Sequence, residues 1–269
     1  MLNEKEDNLK LKINNSTLTQ GGLRTQGYFK KSYDGKPLIS IITVVYNGEQ
    51  FLDETIQSVI NQTYDNFEYI IIDGGSTDGT IDIIKKYEER IDYWVSERDG
   101  GIYDAMNKGI DVASGEWINF MNASDVFYSA ETLEYIFNKT HLNNYSVIAG
   151  CYTLKDSDKI YFAQQKLQII KFGELLSCHQ ALFFNKTNMR DDIYYDLRFP
   201  VNSDNDIMMR VIKKNYKIYF SNTIVSVFET RGISSRVKKK LIPEKYRIIN
   251  KNFGFLGVLK ALIFNKGIK

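Results

Sequence analysis

Acidic side chains occur in three polar segments of this sequence that could bind or activate a ligand. Asp73 and Asp78 bracket a Gly-Gly-Ser-Thr turn, Asp125 ends an Asn-Ala-Ser-Asp segment, and Asp204 lies in a Ser-Asp-Asn-Asp segment. An aspartate at a strand end can accept hydrogen bonds from a nucleobase or ribose, and neighbouring glycines let the backbone approach a ligand. A carboxylate such as Asp125 can bind a divalent cation that bridges a diphosphate. If one carboxylate of segment 203–206 faces a cleft, it can act as a general base.

Each of these side chains also has a purely structural interpretation. Asp78, or one of the two aspartates in segment 203–206, could cap the helix that follows it. Asp125 could belong to an ordinary Asx turn. For Asp73, which precedes its turn, we favour ligand binding. A lone histidine such as His179 is more often a structural residue than a catalyst.

The composition excludes several classes of protein. The chain has 269 residues, of which 43% are hydrophobic and 25% charged, with three prolines. It is therefore long enough for one large or two small domains, and it is neither fibrous nor wholly disordered. Two cysteines and two histidines are too few for a disulfide scaffold or a Cys/His metal centre. Any metal would need oxygen ligands, which favours Mg²⁺ or Mn²⁺.

Several catalytic motifs are also missing. The chain contains neither a Walker-type Gly-Lys-Ser/Thr loop nor a well-placed Gly-x-Gly-x-x-Gly, which argues against an ATPase or a dehydrogenase. It contains no recognisable Cys/His pair or nucleophilic serine elbow, so a hydrolase with a covalent nucleophile is unsupported.

Strand-like and helix-like segments alternate in the first half of the sequence. The apolar pattern predicts strands at 38–45, 67–73, 93–96 and 117–121, and helices at about 49–62, 80–90 and 101–113. This alternation indicates an α/β domain with a mostly parallel sheet. Ligands bind beyond the carboxyl ends of the strands in such sheets. Polar clusters follow these strands at 46–48, 73–78, 98–101 and 122–125, and we expect them to converge on one site.

The second half has shorter strand-like runs. They lie at 147–149, 182–184, 217–220 and 224–228, and an amphipathic helix is predicted near 204–214. We interpret this half as an α+β extension of the same sheet. The sequence contains no internal repeat and no low-complexity tract.

Four blocks of the sequence together resemble family 2 glycosyltransferases. They are residues 40–47, 71–80 (Ile-Ile-Asp-Gly-Gly-Ser-Thr-Asp-Gly-Thr), 101–109 (Gly-Ile-Tyr-Asp-Ala-Met-Asn-Lys-Gly) and 115–125, in that family's order and spacing. The resemblance covers about residues 37–235 and is strongest to bacterial members that build capsule, exopolysaccharide or O-antigen. It implies a GT-A-type nucleotide-binding fold with a mostly parallel central sheet flanked by helices. It also implies transfer of a sugar, with inversion, from a nucleotide diphosphate donor, most commonly a uridine diphosphate sugar. The acceptor would be a glycan or a lipid-linked saccharide.

The resemblance further implies roles for individual residues. The nucleoside would be bound by Thr43, Val45, Tyr46, Asn47, Asp73, Asp78, Asp99, Asp104 and Asn107, with Asp73 on the base. Asp204 matches the catalytic base. Asp125 matches the last acid of the motif that binds Mn²⁺ or Mg²⁺. His179, Gln180 and Arg231 match blocks near the acceptor and the diphosphate.

The metal motif is where the chain departs from the family. Many members have Asp-x-Asp-Asp where this chain has Asn122-Ala123-Ser124-Asp125, so one carboxylate remains to bind a cation. This departure leaves open a non-catalytic relative that binds nucleotide or carbohydrate, although the retained Asp204 counts against it. A sugar-phosphate nucleotidyltransferase would share the sheet and the nucleotide site. It should also have an early Gly-rich loop with an arginine, which segment 46–49 does not provide.

The two ends of the chain differ from its body. Residues 1–36 form a polar arm, 37–235 the glycosyltransferase domain, and 236–269 a basic amphipathic tail. Within the domain, residues 37–126 form the nucleotide-sugar half and residues 127–235 the acceptor half. From Arg231 to Lys269 there are eleven basic residues and one acid, Glu244, whereas the other 230 residues hold 24 basic and 32 acidic side chains.

The tail combines those basic residues with an apolar helical stripe and with Pro243 as a plausible helix start. This combination predicts binding to an anionic membrane surface. Packing of the stripe against the body is the alternative, and nucleic acid is a weaker one because the body is acidic. We see no signal peptide and no apolar run of eighteen residues. We therefore expect a cytoplasmic protein, peripheral on the inner face of the plasma membrane.

Overall fold

The structure of the chain is a computed structural model that describes residues 19–138, 142–229 and 238–266. Three parts of the sequence discussed above lie outside these ranges. They are the first eighteen residues of the arm, Arg231, which was matched to a block near the acceptor and the diphosphate, and the last three residues of the tail.

The described residues form one ten-stranded mixed sheet. Its strands are β1 (Thr19–Gly21), β2 (Ile39–Val45), β3 (Phe67–Asp73), β4 (Tyr93–Ser96), β5 (Trp117–Phe120), β6 (Val126–Phe127), β7 (Val147–Leu154), β8 (Ile160–Tyr161), β9 (Leu182–Asn185) and β10 (Ile218–Phe228). Their order is β1-β4-β3-β2-β5-β9-β7-β10-β6, with β8 paired to β7.

Eight α-helical segments flank this sheet in the described ranges. They are α1 (Leu52–Ile60), α2 (Thr80–Lys86), α3 (Ile102–Val112), α4 (Thr132–Phe137), α5 (Leu167–Ile170), α6 (Lys186–Met189), α7 (Ser203–Lys213) and α8 (Lys238–Lys266). Short 3₁₀ turns lie at Leu23–Gln26, Glu88–Arg90, Leu142–Asn144, His179–Ala181 and Arg190–Ile193. None of the helices in these ranges has the length and apolarity that crossing a bilayer requires.

The sheet combines a parallel half with an extension of mixed direction. Strands β4, β3, β2 and β5 are parallel neighbours, as the alternating pattern predicts. Strand β9 then runs antiparallel between β5 and β7, and β10 runs parallel to β7. The second half of the chain therefore extends the first sheet, as expected from the sequence.

Both faces of the central strands are covered, which explains their continuous apolar sequences. All seven residues of β2 are buried. Ile42 and Val44 face a core that includes α3 and α7, whereas Ile39 and Ile41 face a core that includes α1, α2 and α4. Because successive strand residues point to opposite faces, one β-branched run serves both cores.

Two local predictions were wrong. The runs predicted at 217–220 and 224–228 are one strand, β10, whose register against β7 shifts between Phe220 and Ser226. The arm, in which no element was predicted, contributes strand β1, which pairs with β4; three polar-rich residues give no periodic signal of a strand. Pro243 does not start a helix, because α8 already begins at Lys238. Pro243 lies inside α8, where its missing N–H removes one i→i−4 hydrogen bond.

The C-terminal helix packs on α7. Ile248, Ile249 and Ala261 are buried in a third apolar cluster with Phe199 and Met209. At Gly254 the backbone has φ 69° and ψ −175°, so α8 consists of two helical parts that meet at this residue. A positive φ of this kind costs glycine little.

Candidate functional site

Two loops at the carboxyl ends of β2 and β3 form the first part of the candidate site. Asp73 ends β3 and is fully buried. Its Oδ2 accepts hydrogen bonds from the backbone N–H groups of Gly75 (3.0 Å) and Ser76 (2.9 Å) and from the Ser96 hydroxyl (2.6 Å). Asp73 therefore fixes the turn that follows it.

The loop after β2 is hydrogen-bonded to this turn. Asn47 has a φ of 50°, and its side-chain oxygen accepts a hydrogen bond from the N–H of Thr77 at 2.9 Å. Asp78 accepts through Oδ2 from the N–H of Glu49 and through Oδ1 from that of Thr80, both at 3.1 Å. The second bond closes an Asx turn just before α2. The N-cap residue of α2 is Gly79, and no side chain caps this helix, so Asp78 does not have the capping role considered from the sequence. Tyr46 is 65% exposed beside these loops.

Thr43 and Val45 lie within β2 and are buried. The Thr43 hydroxyl donates to the Met121 carbonyl at 2.6 Å and lies 3.0 Å from the Tyr69 hydroxyl. Thr43 thus links β2 to the neighbouring strands, and its predicted part in nucleotide binding would act through the position of the loop that follows.

The loop after β4 closes on the same turn. Asp99 accepts a hydrogen bond from the N–H of Gly101, and Asp104 accepts one from the N–H of Gly100, both at 2.8 Å. Burial raises the pKa of Asp99 above its ordinary value. A Cβ on Gly74 would lie 2.6 Å from the Asp99 Oδ2, so a larger residue there would force this carboxylate out of its present position. The structure therefore places Asp73, Asp78 and Asp99 in loops that meet at one edge of the sheet.

Asn107 and Tyr103 on α3 contact residues of the second half of the chain. The Asn107 amide donates to the Tyr195 carbonyl at 2.9 Å and accepts from the Tyr195 N–H at 2.8 Å. Tyr103 lies one turn earlier, stacks on the Tyr195 ring with centroids 5.0 Å apart, and approaches Asp204 Oδ1 at 3.4 Å through its hydroxyl. Tyr103 was not singled out in the sequence, although its spacing of four from Asn107 places both on one helix face.

Asp125 occupies the second part of the site. It is 4% exposed, its Oδ1 accepts from the N–H of Glu229 at 3.0 Å, and its Oδ2 accepts from the Gln180 amide. Burial raises the pKa of Asp125 to about 7. The preceding Ser124 has a φ of 91°, a conformation that is unfavourable outside glycine and accumulates at functional sites.

His179 and Gln180 connect this part of the site to the next. The Asn122 Nδ2 lies 2.8 Å from the His179 Nε2, while Gln180 binds Asp125. Burial lowers the pKa of His179 to about 4, so its imidazole is neutral near pH 7. His179 also lines a cavity of about 10 Å³ together with Asp204 and Tyr195. This volume is close to that of one water molecule.

Asp204 forms the third part, at the start of α7. It is partly buried, and its Oδ1 accepts from the N–H of Asn205 at 2.8 Å. Burial raises the pKa of the Asp204 carboxyl above its ordinary value. A carboxylate with these properties and a cavity beside it can accept a proton from a hydroxyl.

The neighbouring Asp206 has a different role. It is fully buried and accepts hydrogen bonds from Arg210, Lys251 and Asn252, at 3.0, 2.8 and 2.8 Å. Neither aspartate of this segment caps α7, whose N-cap residue is Asn202 with no side-chain cap, although one of them was expected to do so. The partners of Asp206 are instead Arg210 of α7 and two side chains of α8. The structure thereby separates an aspartate that faces a cavity from one that anchors two helices.

The described residues offer oxygen ligands for a cation but only one carboxylate. No group of three or more His, Cys, Asp or Glu side chains within these ranges could hold a metal ion. Each Asp125 oxygen accepts one hydrogen bond and keeps a second lone pair. Asn122 Oδ1 and Gln180 Oε1 are buried without a hydrogen-bond partner. This set suits Mg²⁺ or Mn²⁺ where substrate phosphates and water complete the coordination.

Comparison with known proteins identifies the relatives of this chain. Residues 40–210 match the sequence model of Glycosyl transferase family 2. A PGL/p-HBAD biosynthesis glycosyltransferase of Mycobacterium bovis is 29% identical over 76% of this chain and 82% of its own length. An uncharacterized glycosyltransferase of Mycobacterium tuberculosis is 31% identical over 74% of this chain and 78% of its own length.

Solved structures resemble the fold. TarS of S. aureus (residues 1–349, in complex with UDP) superposes with a TM-score of 0.62 at 20% identity, over 80% of this chain and 64% of the TarS chain. The mannosyltransferase PcManGT of Pyrobaculum calidifontis, in complex with GDP-Man and Mn²⁺, superposes with a TM-score of 0.61 at 13% identity, over 100% of this chain and 83% of its own. This chain thus spans just under two thirds of the TarS chain. At these identities the likeness shows a shared fold.

Proposed function

The chain belongs to glycosyltransferase family 2 and is a transferase with a GT-A fold, and from this premise we propose that it transfers a sugar from a nucleotide diphosphate donor to a saccharide hydroxyl with inversion. The observation that supports this most directly is the position of Asp204. Its carboxyl has a raised pKa and lines, with His179, a small cavity. His179 is hydrogen-bonded to Asn122, and the next residue, Gln180, is hydrogen-bonded to Asp125. The turn at 179–180 therefore connects the cavity to Asp125.

The proposed reaction is a single displacement at the anomeric carbon. Asp204 accepts the proton of the acceptor hydroxyl as its oxygen forms the new glycosidic bond. The bond between the anomeric carbon and the donor phosphate breaks at the same time, and the nucleoside diphosphate leaves with the electron pair. A raised pKa makes Asp204 a stronger base than an ordinary aspartate, as long as it is ionised at the working pH.

We propose that the donor nucleoside lies over the loops at 46–48, 74–78 and 98–101. Exposed Tyr46 offers a ring face to a base, and the Asp99 carboxylate offers an acceptor to the base or ribose. Asp73, with its oxygens bonded to the turn, would act by fixing the backbone of Gly75 and Ser76. The same indirect role, which is to hold the nucleotide-binding loops in position, is proposed for Thr43, Val45, Asn47, Asp78, Asp104 and Asn107.

Uridine diphosphate sugars are the proposed donors. The TarS structures were obtained with UDP and UDP-GlcNAc, and the PcManGT structure with GDP-Man. The acceptor is proposed to be a saccharide or a lipid-linked saccharide used in bacterial surface polysaccharide synthesis, at the inner face of the plasma membrane. The name of the Mycobacterium bovis relative, a PGL/p-HBAD biosynthesis glycosyltransferase, is compatible with a glycosylated acceptor of this general kind.

We also propose that Mn²⁺ or Mg²⁺ accompanies the donor. Asp125 would hold the cation, with the amide oxygens of Asn122 and Gln180 available beside it. When bound, a divalent cation supplies positive charge that stabilises a leaving diphosphate. Arg231, outside the described residues, is the basic side chain proposed near the same group.

A screen of nucleotide sugars tests this proposal. The full chain is heated with each donor in the presence of Mn²⁺, Mg²⁺ or EDTA, and release of nucleoside diphosphate is measured with a panel of saccharide acceptors. A ligand that binds only the folded chain raises the melting temperature. A uridine diphosphate sugar that does so, and is turned over, supports the assignment.

Two other results would revise or overturn the assignment. A melting shift that persists in EDTA would remove the cation from the proposal. Donor binding without turnover on any acceptor would favour the non-catalytic relative.

A further inference from the structure

The second part of α8, residues 255–266, exposes an unusual number of large apolar side chains. Phe255, Leu256 and Ile263 are 75%, 68% and 65% exposed, and Leu259 and Leu262 are also exposed. A soluble surface normally bears such residues singly. We call Phe255, Leu256, Leu259, Leu262 and Ile263 the apolar face of α8.

These residues lie on one side of the helix. At 100° per residue, positions 255, 256, 259, 262 and 263 fall within about 120° of arc. The opposite side already has partners, because Ala261 is fully buried and the Phe264 ring lies 4.7 Å from that of Phe172. The helix therefore buries one face on the body and presents a second apolar face outward.

The outward face is held in place by the first part of α8. Ile248 and Ile249 are buried beside Met209, and Asn252 donates to Asp206 at 2.8 Å. Helix α7, on which this part packs, has Asp204 as its second residue. The apolar face is thus fixed relative to the catalytic end of α7.

Charge distinguishes between possible occupants of this face. Within residues 238–266, Lys245 and Lys251 are paired with acids of the body, which leaves six other basic side chains and one acid in this range. That acid, Glu244, is buried and accepts a hydrogen bond from the N–H of Val201 at 3.1 Å. Lys260 is exposed beside the apolar face. Two such helices from two copies of the chain would repel each other, whereas an anionic lipid surface attracts basic residues, with each one contributing about 1 kcal/mol near the surface.

We propose that the apolar face of α8 docks on an anionic membrane, with its apolar side chains at the boundary of the acyl chains and Lys260 among the headgroup phosphates. The docking itself rests on the surface of α8. Its use, which is to bring the Asp204 end of the molecule to a lipid-linked acceptor, rests on the proposed function.

Vesicle flotation of the full-length chain tests the docking. Vesicles of phosphatidylcholine with phosphatidylglycerol are compared with vesicles of phosphatidylcholine alone, at low and high salt. We expect binding to the anionic vesicles that weakens with salt, since surface charge is screened. The double variant Leu256→Glu/Ile263→Glu should bind the anionic vesicles at least about tenfold more weakly, because both carboxylates would have to enter the bilayer interface.

The matched control is Tyr135→Glu/Phe162→Glu, which adds the same charges to exposed apolar residues elsewhere and should bind vesicles like the unaltered chain. Equal flotation on both lipid compositions, or equal flotation of the two double variants, would overturn the proposal. A dimer in sedimentation velocity that Leu256→Glu/Ile263→Glu dissociates, without vesicle binding by the unaltered chain, would assign the face to a second copy.

The melting shift with the nucleotide sugar is measured on every variant. A variant that retains this shift and its turnover on a soluble acceptor, but loses flotation, has lost only docking. A chain that floats but turns over no donor retains docking while the proposed function fails. The comparison of the two lipids with the unaltered chain needs no variant, so the proposal remains testable if a substitution prevents folding.

Discussion

Asp204 and Asp206 are two residues apart in α7 and differ in what surrounds them. Asp204 faces a cavity, whereas Asp206 is bonded to three side chains of α7 and α8. Asp204→Asn keeps the shape of the side chain but removes its ability to accept a proton. We expect kcat to fall by about 10²–10⁴-fold, the contribution typical of a general base, with the donor-induced melting shift unchanged.

The control for this substitution is Asp158→Asn, which alters an exposed aspartate. Its kcat should equal that of the unaltered chain. If Asp204→Asn instead abolishes the melting shift, Asp204 binds the donor and is not the base.

The pH dependence of turnover follows from the same carboxyl. Burial raises the pKa of Asp204 above the ordinary 3.8, and only the ionised form accepts a proton. Below its pKa the enzyme therefore holds an inactive protonated base, so kcat/KM should rise with pH and reach half its plateau above pH 3.8. The measurement is a pH series of initial rates over the range in which the melting temperature is constant. An acidic limb centred at or below 3.8 would contradict a base in this buried position.

The sequence could predict which acidic residues lie together at the edge of the sheet, because they follow the ends of the strands. Parallel strands end at one edge of a sheet, so Asp73, Asp99 and Asp125 were expected there from their places in the chain. The partners of Asn107 and Asp206 could not be predicted. Tyr195 is 88 residues from Asn107, and Asn252 is 46 residues from Asp206, and no spacing rule links side chains across such distances.

At the level of elements, the contact between α7 and α8 depends on the buried Asp206. Asn252→Ala would leave Asp206 Oδ1 without its donor from α8. An unsatisfied buried acceptor costs about 1–3 kcal/mol, so the free energy of unfolding in urea should fall by that amount. Asn250→Ala, at an exposed position on the same helix, is the control and should cost less than about 0.5 kcal/mol. Equal losses for the two variants would show that Asp206 does not need this partner.

The turn after β3 and the loop after β4 are in contact at Gly74. A Cβ there would lie 2.6 Å from the Asp99 Oδ2, which must then move. We expect Gly74→Ala to raise the KM for the donor about tenfold, equivalent to about 1.4 kcal/mol, with a much smaller effect on kcat. A Cβ on Gly100 meets Asp104 at an ordinary 3.6 Å, so Gly100→Ala should leave KM nearly unchanged. If the two variants have the same KM, the loop around Asp99 does not contact the donor.

The elements that the sequence predicted are the long and strongly apolar ones. Strands β2, β3 and β4 and helices α3 and α7 begin and end within one residue of their predicted positions. Strands β1, β6 and β8 contain two or three residues each, too few to show a period of two. They exist because a neighbouring strand offers unpaired backbone groups, which is a property of the folded sheet.

At the scale of the whole molecule, one sheet joins the first half of the chain to the second. Strand β9 bonds to β5 on one side and to β7 on the other, and Asn107 of α3 is hydrogen-bonded to the backbone at Tyr195. Asp125 and Asp204 are therefore positioned by the same rigid layer. Helix α8 extends this body with a basic, partly apolar surface, so the charge asymmetry seen in the sequence becomes a spatial asymmetry.

This asymmetry predicts how turnover depends on the form of the acceptor. A docked enzyme meets an acceptor confined to the bilayer at a high local concentration, whereas a soluble acceptor gives docking no advantage. Leu256→Glu/Ile263→Glu should therefore lower the initial rate about tenfold or more on a lipid-linked acceptor in anionic vesicles. The same variant should leave the rate on a soluble saccharide unchanged. Added salt should slow the unaltered enzyme on vesicles toward the rate of the variant, because it screens the basic helix. Equal sensitivity of both acceptors to the substitution would mean that the apolar face acts on the catalytic end of α7 directly and not through the membrane.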